Sequence, residues 1–369
     1  MSKQIKILYA VQGTGNGHLS RARDIVPALE KKGSVDVLIS GIQADMELPF
    51  PVKYKFHGLS FIFGKKGGID LAKTYKQSNL RKLYEEIKLL PVKDYDLVIS
   101  DFEPVSAWAC KMNKKPCIGL SHQSAVSNKK SPKPKNFDPV GQVVLKRYAP
   151  VSFSYGFHFD SYDQNIFTPV IRTQIRTAKK YQGTHFTVYL PAYGSDLLIK
   201  YLKSIPDVQW QVFCKHTKDK RIEENVSIFP IDNEAFIKSF VSCEGILCGA
   251  GFETPAEALF MQKKLMVIPM KGQYEQQCNA AALKTLGIPV IKSLKKKYLS
   301  TIEDWTRTKK NLSFSYPDQT DQIIELIISN HLKQSNVFDQ FSETEGFSFK
   351  KLKEKTLGKI LEKLSNVAS

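Results

Sequence analysis

The segment from Cys248 to Asn279 constrains the fold of this chain more strongly than any other. A short strand-like run, Ser242–Leu247, leads into it, and a second apolar run, Leu265–Pro269, lies within it. Between the two runs stand Gly249 and Gly251, which allow the backbone to come close to a bulky group. The order predicts a strand that ends in a glycine turn, a helix that begins there, and a second buried strand.

Thr254, Pro255 and Glu257 predict the start of that helix. Threonine suits the N-cap, proline the first helical position and glutamate the third. A helix that begins at a glycine turn binds anions, because its free N–H groups and its dipole point at the same place. Taken alone, Glu257 could equally do no more than close a capping box on Thr254.

Gln276 and Gln277 stand at the start of the next helix. Their amides offer neutral donors and acceptors of the kind that read sugar hydroxyls, although solvated helix residues would look the same. This order of residues resembles the donor half of GT-B glycosyltransferases, most closely the family-28, MurG-like type within the wider UDP-glycosyltransferase superfamily. The resemblance implies that the glycine turn and Thr254 hold a diphosphate, that Glu257 holds the ribose hydroxyls, and that the glutamine pair contacts the sugar.

Strand-like and helix-like segments alternate in the N-terminal half: Ile5–Val11, a helix from His18 to Lys32, Val35–Ser40, Leu97–Ser100, a helix at Val105–Met112, and Cys117–Leu120. The alternation predicts a parallel, doubly wound α/β sheet with its ligand site beyond the carboxyl ends of the strands. A length of 369 residues suits two domains. The resemblance implies a GT-B fold, in which two Rossmann-like domains face a central cleft.

The domain boundaries follow from the same resemblance. We expect an acceptor-binding domain at residues 1–168, a linker at 169–184, and a nucleotide-sugar-binding domain at 185–340. The remaining residues, 341–369, contain a basic amphipathic segment at Phe347–Leu364, which we expect to pack back on the first domain as a helix.

The first glycine-rich loop, Gln12 to His18, is not a dinucleotide fingerprint, because His18 stands where the third glycine should be. It resembles the first loop of the same GT-B families, which implies that His18 lies near the reacting sugar and, as in some members, acts as the general base. Alternatively, His18 merely begins the helix and packs locally. Asp101 and Glu103 follow a predicted strand and should face the same cleft. Asp101 matches the aspartate that orients the catalytic histidine, but it could equally cap the helix at Val105–Met112.

His122 and Gln123 resemble an acceptor-side segment of MurG-like enzymes, with Gln123 in place of a glutamate. His122 is either a second candidate base or a satisfied polar residue. The acceptor-side candidates are therefore Glu103, His122 and Gln123. The donor-side candidates, most of them carried over from the resemblance, are Gly15, Gly17, Arg172, Gly194, Ser195, Ile231, Gly249, Ala250, Gly251, Thr254, Glu257, Gln276 and Gln277.

The net charge of +18 indicates an anionic partner. The lysines are spread over several patches without a nucleic-acid-binding motif, so we expect a diphosphate ligand and an anionic membrane surface, and no nucleic acid. Residues 58–70 could form an aromatic loop with a basic collar, or a buried strand; residues 127–150 could form a basic loop beside the acceptor. The six cysteines are scattered, which favours reduced thiols in a cytoplasmic protein. The basic charge favours a peripheral position on the inner face of the membrane.

These observations predict an inverting hexosyltransferase that uses neither a metal nor a cofactor. The donor is a nucleotide-sugar co-substrate, UDP-linked, and the acceptor a lipid or cell-envelope glycan. Three alternatives stay open: a nucleotide-sugar hydrolase, a 2-epimerase on the same fold, and a basic surface-binding protein without catalysis.

Overall fold

The computed structural model describes residues 4–41, 48–59, 79–136, 138–179, 181, 183–215, 217–309 and 312–338. Within them the chain forms two sheets whose strands alternate with helices. The N-terminal half, below residue 168, holds one sheet, and the C-terminal half, from residue 185, holds the other. The prediction of two Rossmann-like α/β sheets is confirmed.

The first sheet is entirely parallel, in the order β3-β2-β1-β4-β5-β6-β7. Its strands are β1 (Lys6–Gln12), β2 (Ser34–Ser40), β3 (Tyr54–Phe56), β4 (Leu97–Asp101), β5 (Ile118–Leu120), β6 (Phe153–Phe157) and β7 (Ile166–Phe167). In the second sheet, ordered β10-β11-β9-β8-β12-β13, only β10 is antiparallel to its neighbour. Its strands are β8 (His185–Tyr189), β9 (Gln209–Cys214), β10 (Arg221–Glu223), β11 (Val226–Pro230), β12 (Gly245–Gly249) and β13 (Lys264–Ile268).

Helices cover the sheets and join their strands. They are α1 (Asn16–Glu30), α2 (Leu80–Leu89), α3 (Pro104–Met112), α4 (His122–Ser127), α5 (Pro139–Arg147), α6 (Thr173–Arg176), α7 (Ser195–Leu202), α8 (Asn233–Ser242), α9 (Glu253–Phe260), α10 (Tyr274–Thr285), α11 (Leu299–Arg307) and α12 (Thr320–Phe338). Short 3₁₀ turns occur at Val92–Asp94 and Lys296–Tyr298.

The strand register decides which loops meet. Val11 near the end of β1 pairs with Asp101 at the end of β4, so the two strands finish side by side. The loops that follow β1, β4 and β5 therefore share one edge of the first sheet. Apolar strand residues such as Tyr9 and Ile99 are fully buried beneath this edge, which holds the loops on a packed core.

The last described helix, α12, returns to the N-terminal half. Lys31 and Lys32 at the end of α1 pair with Asp321 and Glu325, and His331 lies 2.9 Å from the hydroxyl of Tyr155. The segments predicted at 341–369 and at 60–70 lie outside the described residues. No helix in the described part of the chain is long and apolar enough to cross a membrane.

Candidate active site

His18 and Asp101 meet at the shared edge of the first sheet. Nδ1 of His18 lies 2.9 Å from Oδ1 of Asp101, which is fully buried at the end of β4. An ionised carboxylate only accepts hydrogen bonds, so Nδ1 carries the proton and Nε2 keeps its lone pair. The amide nitrogen of Gln123 lies 3.3 Å from that Nε2. The geometry is that of a general base with an orienting carboxylate.

Arg21, one helical turn after His18, completes this cluster. Its Nε and Nη2 donate to both carboxylate oxygens of Asp101 at 2.7–3.1 Å. Burial alone would raise the pKa of Asp101, but the charge of Arg21 and the bond to His18 outweigh burial and lower it. Asp101 is therefore ionised across the neutral range.

Glu253, the first residue of α9, crosses from the C-terminal half and accepts a hydrogen bond from Nη1 of Arg21. Burial is the main cause that raises the pKa of Glu253 to about 7; Arg21 opposes the rise, and the neighbouring Glu257 and Asp101 add to it. The side chain passes over Gly17, where an added Cβ would lie 3.3 Å from Cγ of Glu253. Gly17 thus leaves room for this contact between the halves.

The start of α9 differs from the sequence prediction. The helix begins at Glu253 with Phe252 at the N-cap, so Thr254 and Pro255 lie inside the first turn. Among the described residues, no side chain caps this end. The helix therefore begins one residue before Thr254, and its first residue, Glu253, is the one that contacts Arg21. The free N–H groups still face the glycine turn, as an anion site requires.

Arg172 and Glu257 contact each other. Nη2 of Arg172 donates to one carboxylate oxygen of Glu257 at 2.6 Å, and Nε donates to the other. Glu257 is nearly fully buried, with its side chain 2% exposed. The predicted capping box on Thr254 is therefore absent from this described helix, and the two predicted donor contacts form one bidentate pair across the junction of the halves.

The carboxylate of Glu275, at the start of α10, accepts a hydrogen bond of 3.0 Å from the same Gln123 amide that lies beside His18. Oε1 of Gln276 accepts from the backbone N–H of Met270 and faces Gly249. Gln277 is half-buried on the same helix. The polar groups that approach His18 and the glycine turn are thus those of Glu275 and Gln276, one position earlier than the predicted pair.

Two predicted acceptor-side residues are enclosed by the protein. Glu103, fully buried, caps α3 by accepting from the N–H groups of Val105 and Ser106 and from the hydroxyl of Ser40. It is Glu103, and not Asp101, that serves as the helix cap. Glu103 therefore offers no surface to an acceptor, contrary to the prediction.

His122 joins the two halves. Its Nδ1 lies 2.8 Å from the carbonyl of Phe157, its Nε2 lies 2.7 Å from Oδ1 of Asn279, and its ring stacks on Phe252. Burial lowers the pKa of this ring. Because both ring nitrogens are engaged, His122 is the satisfied polar residue of the two alternatives, and not a second base.

Most of the remaining donor candidates have open or exposed positions. A Cβ built at Gly15, Gly194 or Gly251 would meet nothing within 4 Å in the described part of the chain. Ile231, 41% exposed, follows β11, and Ser195 opens α7. Ala250 is buried, so only its backbone can reach a ligand.

Three residues of this site were not predicted from the sequence: Arg21, Glu253 and Glu275. A signal existed for Arg21, since positions 18 and 21 share one face of a helix. No local pattern points to the two glutamates, which reach the site across the halves. In the described ranges, no three His, Cys, Asp or Glu side chains converge as metal ligands, and the six cysteines are buried thiols.

The chain matches the sequence model of glycosyl transferase family 1 over residues 5–306. No curated protein matches the chain by sequence. The fold is similar to that of MurG from Acinetobacter baumannii, at 14% identity over 89% of this chain and 100% of that one, with a TM-score of 0.51.

Two plant structures are similar over more of the chain. A UDP-glucosyltransferase from Polygonum tinctorium is 12% identical over 92% of this chain and 99% of that one, with a TM-score of 0.57. UGT2 from Phytolacca americana, complexed with UDP-2-fluoro-glucose and pterostilbene, is 12% identical over 100% and 99%, with a TM-score of 0.51. These likenesses confirm the predicted GT-B fold.

Proposed function

This chain belongs to glycosyl transferase family 1, and from that premise we propose that it moves a sugar from a UDP-linked donor to an acceptor hydroxyl with inversion. The observation that carries the proposal is the 2.9 Å bond between His18 and Asp101, opposite the uncapped start of α9 in the described chain. UDP is supported by the fold neighbours, one named a UDP-glucosyltransferase and another complexed with UDP-2-fluoro-glucose.

In the proposed reaction, Nε2 of His18 takes the proton of the acceptor hydroxyl while the oxygen attacks the anomeric carbon. The bond from that carbon to the diphosphate oxygen breaks, and its electron pair leaves with UDP. Asp101 holds the Nδ1 proton in place and stabilises the imidazolium that forms. Attack from the face opposite the leaving group inverts the anomeric carbon. His18 later returns its proton to solvent.

We assign the leaving diphosphate to the N–H groups of the turn at 249–251 and of the first turn of α9. Backbone donors that are already oriented stabilise developing negative charge without a reorganisation cost. Arg172 and Glu257 form a bidentate ion pair at the junction. The ribose contact proposed for Glu257 therefore requires a ribose hydroxyl to replace one of the two nitrogens of Arg172. The sugar would lie between Gln276 and the His18 edge. In this proposal the backbone N–H groups bind the diphosphate without a metal ion.

For the acceptor, we propose a lipid or cell-envelope glycan that is presented at an anionic membrane surface. The support is the net charge of +18. Two lysines of the predicted basic loop have structural partners: Lys130 pairs with Asp163, and Lys133 donates to backbone carbonyls after α4. The lysines left for a membrane are therefore fewer than the sequence suggests.

The test is UDP release from a panel of UDP-sugars, with and without a membrane lipid extract, by the native chain and by His18→Ala. Release that requires the extract and falls by about 10³-fold in the variant supports the transferase. His185→Gln is the matched control, because His185 lies at the start of β8, at the opposite end of that strand from the cleft.

The other outcomes identify the alternatives. Strong UDP release without extract would indicate a hydrolase. Interconversion of UDP-GlcNAc and UDP-ManNAc without an acceptor would indicate a 2-epimerase. No release and no calorimetric binding of any UDP-sugar would remove the UDP-donor proposal, and membrane binding alone, lost in moderate salt, would favour a surface-binding protein.

A further inference from the structure

We propose that Arg21 is a positioning residue for the transfer reaction, because it holds Asp101 in the orientation that His18 needs and ties this pair to Glu253 of the donor half. The inference rests on the proposed function for its effect on turnover. Its effect on the protonation of the His18–Asp101 pair is independent of that function and can be measured in the free protein.

The first step of the argument is the geometry of the guanidinium. The side chain of Arg21 is 1% exposed. Its Nε and Nη2 donate hydrogen bonds to the two oxygens of Asp101, at distances between 2.7 and 3.1 Å. Its Cζ also lies over the ring of Phe157, 5.6 Å from the centroid. Because the guanidinium contacts both carboxylate oxygens, it prevents Asp101 from rotating away from Nδ1 of His18.

The second step is charge. Asp101 is fully buried, and an unpaired buried carboxylate is costly. The charged and titratable groups around the pair come from four elements: Tyr9 on β1, Arg21 on α1, Glu253 on α9 and, through Gln123, Glu275 on α10. Arg21 is the cation in this set that contacts Asp101. Without it, the His18–Asp101 pair would bind an additional proton more tightly, whichever of the two residues holds it.

The third step is the link between the halves. The remaining nitrogen of Arg21, Nη1, donates to Glu253, the first residue of the helix assigned to the donor diphosphate. The same side chain therefore contacts the group that orients the base and the residue beside the leaving group. A bound donor and a correctly oriented base are brought into one arrangement by a single guanidinium.

A merely structural ion pair would behave differently. Loss of a buried ion pair that only joined the two halves would lower stability and leave the pH profile of turnover in place. A positioning role moves the pH profile and kcat, while the KM of the donor changes little. These readouts separate the two roles.

The experiment compares Arg21→Gln and Arg21→Lys with the native chain. The matched control is Lys31→Gln, which breaks another ion pair from α1, between Lys31 and the exposed Asp321. For Arg21→Gln we expect kcat to fall about 100-fold, with the KM of the donor within about threefold. We also expect the acid limb of the kcat/KM profile to move up by about one pH unit.

Arg21→Lys keeps the positive charge and loses the fork, so it should keep the native pH profile and recover kcat to within about tenfold. An unchanged pH profile in Arg21→Gln, with kcat within about threefold of native, would overturn the proposal. So would a shift of the same size in Lys31→Gln. If Arg21→Gln does not fold, the kcat of Arg21→Lys tests the proposal. A lysine variant with the native kcat would show that the two-nitrogen contact of arginine with Asp101 is not needed.

A second readout separates this inference from the proposed function. The ring signals of His18 are followed by NMR against pH in the native chain and in Arg21→Gln, without any substrate. A proton taken up at higher pH in the variant supports the positioning role even if no UDP-sugar is turned over. Identical titrations would overturn it even if the transferase assay succeeds.

Discussion

The N-terminal edge of the cleft, formed by His18, Arg21 and Asp101, is built from side chains, whereas the C-terminal edge at 249–254 is built largely from backbone. At the first edge both oxygens of the Asp101 carboxylate lie 2.7–3.1 Å from nitrogens of His18 and Arg21. At the second edge, Gly251 faces open space in the described chain, and α9 starts there without a side-chain cap.

The difference reflects two kinds of chemistry. Proton transfer needs a base in one tautomer and one orientation, which only packed and hydrogen-bonded side chains maintain. Anion binding needs free N–H groups and space, which a glycine turn before a helix supplies. Glu253 is the point where the two edges meet, because it belongs to the second and contacts the first.

The strongest way to break the first edge is Asp101→Asn. The amide would leave Arg21 with one acceptor fewer and would remove the preference for the Nδ1–H tautomer of His18. By analogy with an orienting aspartate in a catalytic triad, we expect kcat to fall by about 10³–10⁴-fold with little change in donor Kd. Steady-state kinetics with calorimetry of donor binding checks this, and a variant within tenfold of native kcat contradicts the role of Asp101.

Glu253→Gln tests the meeting point of the two edges. The pKa of Glu253 is raised from the ordinary 4.5 to about 7. Between those pH values the folded chain binds more protons than the unfolded chain, so this group lowers stability as pH rises toward 7. The variant lacks this loss of stability. The loss in the native chain is reduced by the 18% exposure of the Glu253 side chain.

We therefore expect the free energy of unfolding of Glu253→Gln, relative to that of the native chain, to rise by roughly 1–3 kcal/mol between about pH 5 and about pH 8. Denaturant unfolding at both pH values measures the difference. Donor binding should also tighten above neutral pH, because a negative charge beside the diphosphate is removed. Equal differences in stability at the two pH values would show that Glu253 does not titrate in this range.

Gly251→Ala tests the open edge. A Cβ there meets no described atom within 4 Å, so the melting temperature should hold, while a methyl group in the proposed diphosphate site should raise donor Kd by about tenfold or more. The matched control is Gly156→Ala, whose Cβ would lie 2.5 Å from the backbone N of Ala125. That variant should lose stability through a clash in the N-terminal half. An unchanged donor Kd in Gly251→Ala would remove the turn from the donor site.

The smallest expected effect is that of Ile231→Ala. The side chain is 41% exposed after β11, so truncation should leave the melting temperature nearly unchanged. As a donor-side contact, Ile231 should contribute a partly buried apolar contact, so its truncation should raise the donor Kd by about threefold. Calorimetry with UDP alone measures this, and an unchanged Kd would remove Ile231 from the donor site.

Local patterns predicted much of this molecule. The helix predicted at His18–Lys32 is observed at Asn16–Glu30, and the strand predicted at Leu265–Pro269 at Lys264–Ile268. Alternating apolar runs and glycine turns act over a few residues, so they can be read without tertiary contacts. Parallel strands that end at one edge predicted that His18 and Asp101 face the same cleft. Their pairing was implied by the resemblance, with a helix cap as the alternative for Asp101.

Other predictions depended on contacts that no local pattern contains. Thr254 is not the N-cap, because the helix begins at Glu253, and Glu253 contacts Arg21, which is far away in sequence. Glu103 took the capping role that had been an alternative for Asp101, since its longer side chain reaches the N–H groups of Val105 and Ser106. Either acid would have suited the cap by propensity alone.

The sequence by itself determined the α/β architecture and the two glycine loops, because these follow from periodicity and from residues near one another in the chain. The candidate base, His18, was identified by the resemblance of its loop. Only the tertiary structure decided the partners: Arg21 with Asp101 and Glu253, Arg172 with Glu257, and Glu275 with Gln123. The physical reason is that a buried charge must find an opposite charge or a hydrogen bond, and which one it finds depends on the packing of the two halves.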